Sequence, residues 1–148
     1  MEGIKMNPVN KAIEQWLVEN GFVGCQNEEN DVFCFDSVSD TLYWSFDSPN
    51  EYTVKSYEQF LYEYGCDYYC GWWVSAFLHE LGHFMTVWNF SEIESLLLQL
   101  TKVGMGPEEY WLTPDEWAAN VWAINFANEH PDALDGLIDI FNQFIYHN

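Results

Sequence analysis

Apolar residues recur along this chain with two different periods, and the switches between them mark out its elements. Val9, Ile13, Trp16 and Leu17 return at the spacing of one helix face after Asn7-Pro8, and Gly21 closes the run, predicting a helix over about residues 8–20. DVFCFDS and TLYWSFDS instead alternate β-branched and aromatic residues with polar ones on either side of Val38-Ser39-Asp40. They predict a β-hairpin of about 31–36 and 41–47. A weaker helical period over 56–64 ends at Gly65.

Gly71 then precedes WWVSAFLHELGHFMTVW, where Trp73, Phe77, Leu81 and Phe84 share a helix face and Val74, Leu78 and Met85 lie beside it. So wide an apolar arc belongs to a helix buried on most sides. Asn89 or Ser91 caps a further helix over SEIESLLLQLTKV, which Gly104 and Gly106 stop. GMGPEEYWL reads as a loop. Thr113-Pro114-Asp115-Glu116 has a capping-box threonine, proline at the first helical position and acids in the first turn. That helix runs to Pro131, where DALDGLIDIFNQFIYHN begins a last amphipathic helix. No internal repeat or low-complexity linker divides the chain, so the pattern predicts one domain over 1–148, α+β and mostly helical, with a small hairpin or sheet.

Composition adds two constraints. With 49% hydrophobic and 19% aromatic residues among 148, the chain can bury a core without disulfide staples, which leaves its acidity on the surface. Four lysines and no arginine against 24 Asp plus Glu give a formal charge of −20. That field repels phosphate and argues against direct nucleic-acid binding, while favouring solubility, capture of metal cations or docking to a basic protein. No apolar run approaches a membrane span, and MEGIKMNPVN lacks the apolar core of a signal peptide, so the expected location is the cytoplasm. Cys25, Cys34, Cys66 and Cys70 are then expected as thiols, small residues in an aromatic-rich core.

HELGH, residues 79–83, carries the chemistry. His79 and His83, four apart on a helix, turn both imidazoles toward one ion. Glu80, one position along, stands beside the ion's open position, where it can take a proton from water without acting as a ligand. Gly82 allows another backbone or a substrate to come close. At average frequencies the pattern arises by chance in under roughly 1% of chains of this length. A catalytic zinc needs a third protein ligand. His130 and His147 come late, and Thr86 and Asn89 stand where a metzincin continuation requires Gly and His. A carboxylate remains.

In these residues the chain resembles the gluzincin-type zincins, whose third ligand is a glutamate on a separate helix after HExxH. Glu116-Trp117-Ala118-Ala119-Asn120-Val121-Trp122-Ala123 looks like the E-x-x-A-x-x-W-A helix of small metallopeptidase-like proteins of phages and their bacterial hosts. The resemblance spans about residues 72–126. It implies Zn2+ as cofactor, Glu116 as third ligand and the HExxH helix packed on a C-terminal ligand-bearing helix. Ala119 and Ala123 keep that helix face small enough for close approach. The ImmA/IrrE family is also similar, but it places its glutamate where Ala118 stands here. Glu116 is also the fourth residue of the Thr113 capping box, a competing use of its carboxylate, and Asp115, Glu108 and Glu109 are alternative ligands. Tyr110 is the candidate donor to an oxyanion, and Tyr62, Tyr64, Tyr68 and Tyr69 are candidates for a groove wall. The implied function is zinc-dependent hydrolysis of a peptide or amide bond in a peptide or protein substrate. The alternative is an acidic phage-type decoy that keeps a zincin core and binds a basic host protein.

Overall fold

The computed structural model describes residues 8–47, 49–66 and 71–146. Among the described residues there are seven α-helices and a three-stranded sheet: α1 Pro8–Glu19, β1 Gln26–Glu29, β2 Cys34–Asp36, β3 Thr41–Trp44, α2 Glu51–Glu63, α3 Trp72–Thr86, α4 Glu92–Thr101, α5 Pro107–Trp111, α6 Pro114–Glu129 and α7 Pro131–Tyr146. The fold is α+β and mostly helical, as the pattern predicts. Among the described residues no helix is long and apolar enough to cross a membrane.

The predicted hairpin forms as β2 against β3, antiparallel, with Phe35 opposite Leu42, though both strands are shorter than the alternating pattern. The sequence reading misses β1, which pairs parallel to the other side of β3 in the order β1-β3-β2. Gln26–Glu29 is almost wholly polar and lies at the sheet edge, so backbone pairing holds it without an apolar face to betray it. Asn27 adds a side-chain bond to the Asn10 carbonyl, and its Oδ1, with that of Asn10, accepts from the buried Trp44 indole.

Helix ends follow local chemistry. Asn50 caps α2 by accepting from the Thr53 N–H, which starts that helix earlier than the weak period suggests. Ser91, rather than Asn89, caps α4 in a reciprocal box with Glu94. The segment read as a loop contains the one-turn α5 opened by Pro107. Thr113 does precede α6, but the expected capping box is absent. Its hydroxyl donates to the Tyr110 carbonyl, and Glu116 is engaged elsewhere.

One core gathers Val9, Ile13, Trp16 and Leu17 of α1 with Leu42 and Trp44 of β3, Phe77 and Leu81 of α3, Phe126 of α6, and Leu134, Leu137 and Phe141 of α7. A second, smaller cluster joins Tyr57, Phe60 and Leu61 of α2 to Ile124 of α6. Helix α3 touches the sheet, α6 and α7, and its main neighbour is α6. The contact is close because residue 82 is glycine: a Cβ there would lie 2.5 Å from the Ala119 carbonyl oxygen. Helix α4 contrasts with this. Ile93, Leu96, Leu97 and Leu100 are all more than half exposed, and none of its residues is buried apart from its C-cap Lys102.

Candidate metal centre

The backbone approach of Gly82 to Ala119 puts the HELGH turn of α3 opposite the first turns of α6. His79 is buried and His83 half-buried. Glu116, 3% exposed, points its Oε1 at both, 2.9 Å from His79 Nε2 and 3.0 Å from His83 Nε2, and the two nitrogens are 3.2 Å apart. Donors held tetrahedrally at 2.0–2.1 Å from one ion stand about 3.3 Å from each other, close to the edges of this triangle. The ligating atoms of His79, Glu80 and His83 also lie within 4.8 Å of one another, a cluster that could hold a metal ion.

Hydrogen bonds around the triangle fix its polarity. Asn120, fully buried, donates through Nδ2 to the Trp111 carbonyl at 3.2 Å, which turns its Oδ1 toward the Tyr57 hydroxyl and His79 Nδ1, each 2.7 Å away. Both of those groups therefore donate to Oδ1, so the Nδ1 proton is engaged and Nε2 faces the triangle. Two imidazole nitrogens and a carboxylate oxygen at this separation require a positive charge between them, either a proton or a metal ion. Burial by itself would lower the His79 pKa, but the Glu116 hydrogen bond, the Glu80 and Glu116 charges and Asn120 outweigh it and raise it to about 8. Burial would raise the Glu116 carboxyl, yet hydrogen bonds from His79 and His83 hold it well below the usual carboxylate range.

The second Glu116 oxygen is also occupied. The ammonium of Lys102, at the end of α4, lies 3.0 Å from Glu116 Oε2, 2.6 Å from Asp115 Oδ2 and 5.1 Å from the Tyr110 ring centre. Lys102 is 9% exposed in a chain with only four lysines, and the sequence reading assigns it nothing. It leaves Glu116 one free oxygen for the imidazoles and commits Asp115 to an ion pair. Glu108 and Glu109 line a separate surface cavity with Tyr52 and Lys55. Of the four carboxylates considered for a third ligand, Glu116 alone meets both histidines.

Glu80 is half-buried, and burial pushes its pKa up against the opposing pull of His79 and His83. Tyr110, 38% exposed, reaches the same place, where burial and then the Glu116, Glu80 and Asp115 charges keep its phenol protonated. Phe33, Glu80, Tyr110 and Glu116 are shared by two recesses flanking the centre. The first, about 360 Å³, has walls of Tyr57, Trp72 and Trp111. The second, about 350 Å³ and on the His83 side, includes Cys34, Ser37, Ser95 and Gln99.

The groove wall expected from the later tyrosines is built differently. Tyr62 is exposed, Tyr64 packs on Phe60 and Trp117, and neither lines these recesses, while Tyr68 and Tyr69 lie outside the described residues. Cys25, Cys34 and Cys66 are thiols, and Cys70 lies outside the described residues. His130 is exposed beyond α6, and His147 lies outside the described residues. Asn120 and Lys102 are the functional-site residues that sequence reasoning missed. An Asn four residues after Glu116 on a predicted ligand helix was the available signal for the first; nothing local marked the second. Against known proteins, no family model matches the chain, and no curated protein or solved structure matches it.

Proposed function

We propose that this chain is a zinc-dependent hydrolase of peptide or amide bonds, of the small zincin kind. The observation that carries the reading is the triangle of His79 Nε2, His83 Nε2 and Glu116 Oε1, with every side at or below 3.2 Å and Glu80 next to it. Two imidazoles and one carboxylate form a donor set typical of catalytic zinc, with a fourth position left for water. A zinc ion held there lowers the pKa of water and polarises a carbonyl.

The chain's own groups supply the rest. Glu80, with its raised pKa, accepts the proton from the attacking water and can return it to the leaving amine. Tyr110, protonated at neutral pH, donates to the oxygen on which negative charge develops. Asn120 orients His79, and Lys102 holds Glu116 with one oxygen turned to the imidazoles.

The net charge of −20 favours a second reading, in which the zincin core is a scaffold and the acidic surface occupies a basic host protein. One substitution separates the two. Glu80→Gln preserves shape and both imidazoles. For a hydrolase it retains one zinc per chain by elemental analysis and loses peptide cleavage about 100-fold or more. Unchanged biological effect in that variant, together with partner binding that weakens steeply with salt, selects the scaffold reading.

A further inference from the structure

The first recess combines aromatic walls with acidic groups. Tyr57 at 4% exposure and Ala76 at 6% lie in it with His79, Glu80 and Glu116 of the centre, flanked by Trp72 and Trp111. The lining also includes two exposed aspartates, Asp31 and Asp47, and contains no lysine or arginine. Neither aspartate takes part in an ion pair among the described residues. Their placement is built into the fold. The buried Ser45 hydroxyl donates to the Asp31 carbonyl at 3.1 Å and accepts from the Asp47 N–H at 2.9 Å, tying the two segments to each other. The Trp73 indole anchors the neighbouring Phe46 carbonyl to α3 at 2.9 Å. Among the described residues the Trp72 indole N–H is buried and has no hydrogen-bond acceptor.

We infer that this recess is the specificity pocket of the metal centre and that it takes a long basic side chain, lysine or arginine, of a peptide next to the scissile bond. This rests on the hydrolase reading above. The aliphatic stem of such a residue lies along Tyr57, Trp72 and Trp111, and its cationic head meets the aromatic faces and then Asp31 and Asp47. An aliphatic or aromatic substrate residue would fill the aromatic part equally well but leave the two aspartates without a partner. An acidic residue is repelled by them and by the −20 field, which for a basic peptide raises the rate of encounter instead.

Two measurements on the full-length zinc-loaded protein test this. The first needs no catalysis: tryptophan fluorescence and NMR follow the titration of n-butylguanidinium and of its neutral counterpart n-butylurea. The guanidinium is expected to bind about tenfold more tightly. The Asp31→Asn/Asp47→Asn double variant removes that margin, whereas Asp132→Asn/Asp135→Asn on α7 leaves it in place. Both rim substitutions keep the fold, because the bonds that position these residues are made by their backbone atoms. Equal binding of the two probes, or a margin that survives the rim substitutions, overturns the inference. The second is cleavage of a peptide mixture varied at the positions flanking the cut, where lysine or arginine is expected to dominate on one side. Cleavage with no basic preference sinks the pocket assignment but leaves the hydrolase reading standing. A guanidinium margin without any cleavage does the reverse.

Discussion

Glu116 had two competing uses, helix cap or ligand, and its surroundings decide between them. Its oxygens face His79 and His83 on one side and Lys102 on the other, so the Thr113 N–H does not donate to it and bonds the Tyr110 carbonyl instead. Lys102 is accordingly a structural cation. Lys102→Met removes the cation between the buried Glu116 and the partly buried Asp115 and is expected to cost about 3–5 kcal/mol in urea unfolding of the chelator-treated protein. Asn120 works through His79, and Asn120→Ala is expected to weaken zinc binding about 10–100-fold in a chelator competition. The cysteines differ in character. Burial, then Asp40, pushes the Cys25 thiol up to about 12. At pH 8 almost none of it is thiolate, so iodoacetamide should label Cys25 at least about 100-fold more slowly in the folded protein than in urea, with the rate still climbing above pH 9. Mass spectrometry of the labelled peptides reads this directly, and equal rates would contradict the placement of Cys25.

Among the elements, the pair α3 and α6 makes the centre, and one missing methyl group lets them pack. With Ala119 O only 2.5 Å from a Cβ built on Gly82, Gly82→Ala has to drive backbone from backbone. The expected result is a loss of at least about 1–3 kcal/mol together with loss of zinc, because Glu116 moves away from both histidines as α6 shifts. Retention of full zinc and an unchanged melting temperature would refute the packing. Helix α4 lies at the other extreme. Leu96 and Leu100 are 66% and 71% exposed, so Leu96→Ser and Leu100→Ser are expected to change stability by no more than about 0.5 kcal/mol. HELGH and the Pro114 helix start were legible because each is a local pattern, and the cap of α4 was narrowed to Asn89 or Ser91, of which the structure uses Ser91. Strand β1 and helix α5 were not, since one pairs through its backbone and the other is a single turn.

At the scale of the molecule, charge and core pull in opposite directions. Four lysines cannot neutralise 24 acids, and one of the four is buried against Glu116 and Asp115. The remaining surface repels itself, a cost that falls as salt shortens the screening length from about 30 Å at 0.01 M to about 8 Å at 0.15 M. The melting temperature is therefore expected to rise over that range of NaCl at constant pH. A flat or falling trend would mean that the acidic groups are paired more fully than the structure has them.

Helices α1, α3, α4, α6 and α7, the β2–β3 hairpin and a candidate centre at residues 79–83 follow from the chain alone, because helix and strand periodicity, capping chemistry and an i, i+4 histidine pair act over a few residues. The sequence favoured Glu116 and left Asp115, Glu108 and Glu109 open; tertiary structure set Glu116 against both histidines, brought Asn120 and Lys102 beside it, and set Asp31 and Asp47 on the rim of one recess. Each of these depends on how two distant segments meet, α3 with α6 through Gly82 and Ala119, and the two aspartate segments through Ser45. Such distances are settled by packing and by the hydrogen bonds of buried groups, which no local spacing encodes.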